Sequence, residues 1–363
     1  MWRYIYHWEK LEVWETPTDY KPSTKISLII PVRNEAENIN ACLQSIFRQN
    51  YPQQLMEVIV VDDHSTDQTP QILNQIKDKR LKILWLSDFV DVSEERAFKK
   101  KAITVAIDQA TGDLIVTTDG DCIVPPRWLQ RMAHFYETKG VKFIAAPVNF
   151  YKERNLLEHF QSLDFTGMMA ITGAGIHGQF MNMCNGANLA YDKKAFQVVD
   201  GFSGINHLAS GDDMLLMQKI AQRFPGKIGY LKNEAATVLT KAQETLSDFY
   251  NQRLRWASKS ADYKEWKVTA MLGVVWLFCL SIVFSLIAVL FLGLSVLWLF
   301  FGQVLIKTAV DYALLRRTTR FFNRTDLMKY FLLSQVMHIF YIVSIGTLSI
   351  FIKKYNWKDR TTQ

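Results

Sequence analysis

Two aspartates, Asp119 and Asp121, flank a glycine in IVTTDGDCIV, residues 115–124, directly after a stretch that suits a strand. Carboxylates this close repel each other, and a divalent cation with oxygen ligands is the usual partner that relieves the repulsion. Asp and Gly are also ordinary turn residues, so the stretch by itself reads equally as a turn. Two further polar clusters follow apolar runs in the same way. Arg33, Asn34 and Glu35 follow KISLIIPV, and Asp62 and Asp63 close MEVIVV. Turns alone do not explain three polar clusters at three strand-like ends.

The elements that must position these residues alternate. KISLIIPV is followed by AENINACLQSIFRQN, whose apolar residues have helical spacing. MEVIVVDD is followed by TDQTPQILNQIKDK, LKILWL by KKKAITVAIDQA, and then comes DLIVTTD. Strand, helix, strand, helix predicts an α/β fold with a doubly wound, mostly parallel sheet over the first 235 or so residues. Such sheets bind ligands beyond the carboxyl ends of their strands, which is where the three clusters fall.

The remainder of the chain has a different composition. No Asp, Glu, Lys, Arg or His occurs from Val268 to Ile306, and Tyr330 to Ile352 contains only His338. A membrane helix needs about 20 apolar residues. The first run exceeds one crossing, so Gly293 and Ser295 predict a break, with a second helix from about Leu294 to Leu315. Lys307 and Asp311 would lie on it at i, i+4, where they neutralise each other. The net charge is +7. Its cations gather beside the apolar runs, at Arg316, Arg317, Arg320, Arg324 and Lys329 and again at Lys353, Lys354, Lys358 and Arg360. That placement predicts a membrane surface with anionic lipid as partner rather than nucleic acid. Such flanks cannot all face the cytoplasm if three helices cross. The four cysteines are scattered, with neither zinc nor disulfide spacing. MWRYIYHWEKLEVW carries charges among its apolar residues, unlike a secretory leader, and reads as an in-plane amphipathic segment.

Taken in order, SLIIPVRNEAENI, VIVVDDHSTDQT, TTDGDC, GDDMLL (211–216) and QRLRW (252–256) resemble the motifs of the inverting family 2 glycosyltransferases, which have the GT-A fold. The last resembles the Gln-x-x-Arg-Trp motif of membrane enzymes such as cellulose, chitin and hyaluronan synthases and ceramide glucosyltransferase. These blocks span residues 27–256. Each is weak alone, and their order followed by apolar helices is specific. The sequence departs from the pattern at His64, where Gly is common, and at Asp212, where Glu is common.

The resemblance implies a role for each residue. Asp119 and Asp121 would hold Mg2+ or Mn2+ against the diphosphate of a nucleotide-sugar, with Asp121 the direct ligand and Asp119 reaching metal or ribose. Asp62 and Asp63 would receive the uracil and ribose of UDP, with Pro31 and Glu35 lining the pocket. Glu35 is equally a first-turn carboxylate favoured by a helix dipole. Lys99, or its neighbours Lys100 and Lys101, would contact nucleotide or phosphate, though three lysines in a row also read as a solvated face. Asp213 would be the general base, beside Asp212, although acids suit a helix start in any case. Gln252 and Arg255 share a helix face, Arg255 suited to phosphate and Trp256 to an acceptor wall or a membrane anchor. CNGANLAY (184–191) is small and polar, suited to lining a sugar site.

The expected organisation is an interfacial segment over 1–24, a catalytic domain over 25–240, an interfacial helix over 241–267, about three membrane segments over 268–352 and a basic tail over 353–363. The expected function is metal-dependent inverting transfer from a UDP-sugar to a lipid, lipid-linked or growing glycan acceptor. The enzyme would be multi-pass in the cytoplasmic membrane, with its catalytic domain in the cytoplasm and a partner subunit possible. A processive polysaccharide synthase, a nucleotidyltransferase and a non-catalytic nucleotide-sugar-binding subunit are the alternatives. Long polymer would mark the first and released pyrophosphate the second. Full function after Asp213→Asn would mark the third.

Overall fold

The computed structural model describes residues 1–90, 97–206, 208, 211–258, 266–351, 355–357 and 360–362. The tail lysines Lys353, Lys354 and Lys358 lie outside the described residues. Contacts divide the chain into two units, 11–149 with 175–241 and 356–363, and 1–10 with 150–174 and 242–355. Each is described by itself. Helix α1 (Trp2–Lys10) opens the chain and belongs to the second unit.

The first unit is built on a parallel core. Strands β1 (Ile26–Val32), β2 (Met56–Asp62), β3 (Leu81–Trp85) and β4 (Leu114–Thr117) pair in parallel in the spatial order β3-β2-β1-β4. Helices α2 (Ile39–Phe47), α3 (Thr69–Gln75) and α4 (Phe98–Gln109) follow β1, β2 and β3. A strand covered on both faces needs apolar residues at consecutive positions. Accordingly β4 is buried throughout, and Pro31 is the only residue of β1 that is not buried. The chain runs outward from β1 to β2 and β3, then returns to place β4 on the other side of β1. The carboxyl ends of β1 and β4 therefore flank the point where strand order reverses, the usual ligand crevice of such sheets.

Beyond β4 the pattern changes in a way that alternation of strand and helix did not predict. After α5 (Trp128–Lys139) come β5 (Phe143–Ala145), β6 (Val148–Phe150) and the long α6 (Leu156–His177). Then β7 (Leu189–Asp192) enters antiparallel between β4 and β5. After α7 (Lys193–Val198) and α8 (Met214–Arg223), β8 (Ile228–Tyr230) completes a seven-stranded sheet parallel to β5. β6 and β9 (Val238–Thr240) form a separate two-stranded sheet. The sheet is thus mostly parallel, as expected.

The second unit gathers most of α6 with α9 (Leu246–Ser258), α10 (Trp266–Leu292), α11 (Leu297–Phe321) and α12 (Phe331–Phe351). The expected boundary at residue 240 misplaces α6. Its Leu163 packs in one core cluster with Leu315, Leu327 and Phe331, so residues 150–174 go with the C-terminal helices. Among the described residues three helical stretches, 266–292, 294–321 and 325–351, are long and apolar enough to cross a membrane. The break between the first two falls where expected, at Gly293, whose φ of 82° is a backbone conformation that favours glycine. Lys307 Nζ donates to Asp311 Oδ2 at 2.6 Å, as the i, i+4 spacing predicted, and also to Gln335 Oε1 at 2.9 Å. All four cysteines are free thiols.

Candidate active site

The two loops that leave β1 and β2 lock onto each other. Arg33 donates through Nη1 to the carbonyls of Asp63 at 2.9 Å and His64 at 2.6 Å. Asn34 receives the Thr66 amide at 2.9 Å, and the Asn34 amide donates to Ser65 Oγ at 3.0 Å. His64 has a φ of 53°, in the left-handed region, which explains why glycine is common there in the related pattern. Its ring approaches Asp63 Oδ1 at 3.0 Å. Asp62 and Asp63 are both buried. Asp62 Oδ1 accepts the Ser65 amide at 3.0 Å, while its Oδ2 is buried with no hydrogen-bond partner among the described residues. A buried acceptor left in that state costs about 1–3 kcal/mol, so a ligand donor there would be well rewarded.

Glu35 is also buried, in the turn that opens α2. Its carbonyl accepts the Asn38 and Ile39 amides, and its Oε2 accepts Asn38 Nδ2 at 3.0 Å. The helix-start role is therefore real. It also brings Glu35 to the aspartate pair. A Cβ on Gly120 would lie 2.8 Å from Val32 Cγ1 and 3.1 Å from Glu35 Cγ. The residue between Asp119 and Asp121 is glycine because the β4 loop presses against the end of β1 at that point.

The other charged groups converge on the same strand end. Lys99, in the first turn of α4, donates to Asp119 Oδ1 at 2.8 Å and lies 3.3 Å from Asp212 Oδ2. Burial alone would lower the pKa of this ammonium, but Asp119, Asp212 and Asp213 more than offset it and hold the group above its ordinary range. Three lysines in a row are not a solvated face here. Lys100 is buried and donates to the carbonyls of Ile205 at 2.6 Å and Leu208 at 2.8 Å, which makes it an anchor for that loop. Lys99 is the member that faces the carboxylates.

Asp213 caps α8, its Oδ1 accepting the Met214 amide at 2.7 Å and its Oδ2 accepting the Gly186 amide at 3.1 Å. Each oxygen keeps a second lone pair, so a carboxylate oriented in this way can still accept a proton. The Gly186 contact places part of the CNGANLAY stretch against this group. A Cβ at Gly186 would lie 3.5 Å from Lys99 Nζ and within 3.7 Å of Asp212 and Asp213. Thr240, at the end of β9, donates to Asp121 Oδ2 at 3.3 Å, a contact that no local sequence signal announces.

The aspartate pair suits a hard divalent cation. One ligand atom each from Asp119, Asp121 and Cys122 lies within 4.8 Å of the others. Burial, then Asp121 and Asp119, push the Cys122 thiol well above its usual range, and the thiol points to Asp121 Oδ1 at 3.5 Å. The two carboxylates are left as an oxygen donor set of the kind Mg2+ or Mn2+ prefers.

Gln252, Arg255 and Trp256 lie on α9, in the second unit. The residue that organises that helix is Arg253, inside the same motif. Only 1% exposed, Arg253 sits 4.4 Å from the Trp256 ring centroid, 5.2 Å from that of Phe249 and 5.5 Å from that of Tyr341. Its Nη2 is 3.1 Å from Asp164 Oδ2 on α6. An arginine between two other motif positions, one turn from Phe249 and Trp256, was the available signal, and sequence reasoning passed over it.

Comparison with known proteins agrees with the fold. The family described as Glycosyl transferase family 2 matches residues 27–199, and Glycosyl transferase family group 2 matches residues 114–315, more than half the chain. Glycosyltransferase AglE of Haloferax volcanii is 32% identical over 193 residues, 52% of this chain and 59% of that protein. The beta-monoglucosyldiacylglycerol synthase of Synechocystis sp. is 28% identical over 268 residues, 69% of this chain and 52% of that protein. The chain spans between half and two thirds of the length of these relatives. Among solved structures, mannosyltransferase PcManGT from Pyrobaculum calidifontis, in complex with GDP-Man and Mn2+, superposes with a TM-score of 0.54 at 18% identity, covering 96% of this chain and 94% of that one. That likeness concerns the fold alone. With a family match over more than half its length and a mostly parallel sheet ending in these carboxylates, the chain belongs to the family 2 glycosyltransferases.

Proposed function

We propose that this chain transfers a sugar from a UDP-sugar to a lipid or lipid-linked acceptor, inverting the anomeric configuration, at a membrane surface. The observation that carries this reading is the convergence of Lys99, Asp119, Asp212, Asp213 and Gly186 at the reversal point of the sheet. In this reading Asp62 and Asp63 receive the base and ribose, Asp62 Oδ2 being a buried acceptor in want of a donor, and Pro31 and Glu35 line the pocket. Asp119 and Asp121 would hold Mg2+ or Mn2+. When bound, the ion supplies Lewis-acid neutralisation of the charge that grows on the leaving diphosphate. Lys99 adds a fixed ammonium to the same end of the site.

Asp213 takes the proton of the acceptor hydroxyl as that oxygen bonds to the anomeric carbon and the bond from that carbon to the diphosphate breaks. The nucleoside diphosphate departs with the bonding pair. A single displacement with no enzyme nucleophile inverts the centre. Asp213 suits the role better than Asp212, because Asp212 Oδ2 is the oxygen already engaged by the Lys99 ammonium, at 3.3 Å. Gln252, Arg255 and Trp256 serve the acceptor or diphosphate side.

The lipid acceptor is supported by three helical stretches among the described residues that are long and apolar enough to cross a bilayer. It is also supported by a relative named for glucosyldiacylglycerol synthesis. The catalytic unit would face the cytoplasm, where nucleotide-sugars are made.

The experiment is incubation of the purified chain in lipid with a panel of nucleotide-sugars, following nucleotide release and sizing radiolabelled product. UDP release with a short, organic-extractable glycolipid is expected. Long water-soluble polymer from the pure chain would replace the lipid reading with processive synthesis. Released pyrophosphate would replace transfer with nucleotidyl transfer.

A further inference from the structure

Helix α1 is held across one end of the apolar helices of the second unit. Ile5 and Trp8 are its buried residues. Trp8 meets Phe321 edge-on at 5.3 Å and Phe322 at 6.3 Å, and the Tyr4 hydroxyl donates to Met271 Sδ at 2.7 Å. Phe321 is the last residue of α11, and Met271 lies in the second turn of α10. The start of α10 and the end of α11 therefore both lie beside α1. After Leu314 and Leu315, α11 carries Arg316, Arg317 and Arg320 just before the Phe321–Phe322 pair that Trp8 meets. A helix packed at that level lies where the hydrocarbon of a bilayer would stop.

The outward side of α1 has the chemistry of that level. Trp2 is 70% exposed and Tyr6, one turn on, is 59% exposed, while Trp266 at the start of α10 is 72% exposed. Exposed tryptophan and tyrosine rings are costly in water and favourable among lipid headgroups. Around them Arg3, Lys10, Arg316, Arg317 and Arg320 are all exposed. The acid on α1, Glu9, is already engaged by Arg317. Aromatic anchors amid surplus cations, continuous with helices able to cross a membrane, complement an apolar boundary carrying negative charge.

We propose that α1 and the C-terminal turns of α11 form a binding surface for anionic phospholipid headgroups, which seats this end of the helices in the membrane surface. This goes beyond the sugar-transfer reading and holds whichever donor and acceptor the protein uses. Each cation at a negatively charged bilayer surface strengthens binding about fivefold.

The test uses the full chain in neutral detergent, titrated with phosphatidylglycerol or with phosphatidylcholine, reading the rise in unfolding temperature to obtain apparent affinities. Phosphatidylglycerol should bind more tightly than phosphatidylcholine, and the preference should fade in high salt. The triple variant R316Q/R317Q/R320Q should bind phosphatidylglycerol on the order of 100-fold more weakly, with phosphatidylcholine unchanged. R316K/R317K/R320K keeps the charge and should keep the preference, which separates headgroup binding from loss of the Arg317–Glu9 packing. Equal affinity for the two lipids would overturn the proposal. So would a glutamine variant that retains the preference, or a lysine variant that loses it as fully as the glutamine one. Should the glutamine variant fail to fold, W2S/Y6S with the arginines intact must lose affinity for both lipids; unchanged affinity there would also overturn it.

Discussion

The carboxylates at the strand ends of the first unit keep binding capacity in reserve, whereas the charges among the helices of the second are set against one another. Asp119, Asp121, Asp212 and Asp213 are all partly exposed, and Lys99 is the ammonium among them. Asp62 adds a buried oxygen without a partner. In the second unit Arg253 is set against Asp164 and walled by aromatic rings, His338 Nε2 lies 3.8 Å from the other oxygen of Asp164, and Lys307 is matched by Asp311 and Gln335, although Arg253 Nε, Asp164 Oδ2 and His338 Nδ1 are buried without a hydrogen bond among the described residues. Burial, opposed by Arg253 and Lys307, pushes the Asp164 carboxyl above its usual range. The difference separates two uses of charge. A site awaiting a charged ligand carries acid in excess and stays open to water. A structural cluster in apolar surroundings must be neutral and closed, because an uncompensated charge there is costly. The motif of α9 meets this cluster directly, since Arg253 is buried against Asp164 and Trp256 is one of the rings around it.

Substitutions should sort by this distinction. The largest effect belongs to Asp213→Asn, which keeps size but can keep only one of the two backbone contacts, since an amide nitrogen cannot accept, and cannot take a proton. Turnover should fall about 10²–10⁴-fold with UDP affinity nearly unchanged and stability lowered by no more than about 1–3 kcal/mol, the cost of one lost hydrogen bond. A marked loss of stability instead would place Asp213 with the structural charges. Next, Arg253→Met leaves Asp164 buried without its partner and should cost about 3–5 kcal/mol of stability. The double variant Asp164→Leu/Arg253→Met should recover most of that loss in denaturant unfolding. If the double variant is no better than the single, the pair is not a closed structural unit. Lys99→Met should weaken UDP binding by about tenfold, the scale of one hydrogen bond to a charged group, as read by calorimetric titration. An unchanged affinity would mean that Lys99 serves only to space the aspartates. The smallest effect is His64→Gly. Relief of the left-handed backbone, worth about 1–2 kcal/mol, is offset by the lost contact with Asp63 and the entropy of glycine, so stability should change by no more than about 1 kcal/mol.

The sequence made the parallel core legible because buried strands must be apolar at consecutive positions, and β1, β2 and β4 are. It made the polar clusters legible because charged residues directly after such runs have few structural excuses. It could not indicate which of Lys99, Lys100 and Lys101 faces the site. Helical geometry turns successive side chains through about 100°, but the start of α4 had to be fixed before a direction could be given to any of them. The insertion of β7 between β4 and β5 was also hidden, since a short antiparallel strand far along the chain carries no mark of its neighbours. Placement of α6 with the C-terminal helices depends on contacts such as Leu163 with Leu315, residues distant in sequence. Thr240 beside Asp121 is of the same kind.

Transfer from a nucleotide-sugar by way of Asp213 is tested most directly by paired assays on wild type and Asp213→Asn in the same lipid preparation, with UDP-sugars and Mn2+, before and after EDTA. The account predicts UDP release and an inverted glycosidic product from the wild type, loss of both in EDTA with recovery on adding Mn2+ or Mg2+, and almost no turnover from Asp213→Asn despite equal UDP binding. Wild-type turnover by Asp213→Asn, or full activity in EDTA, would contradict it.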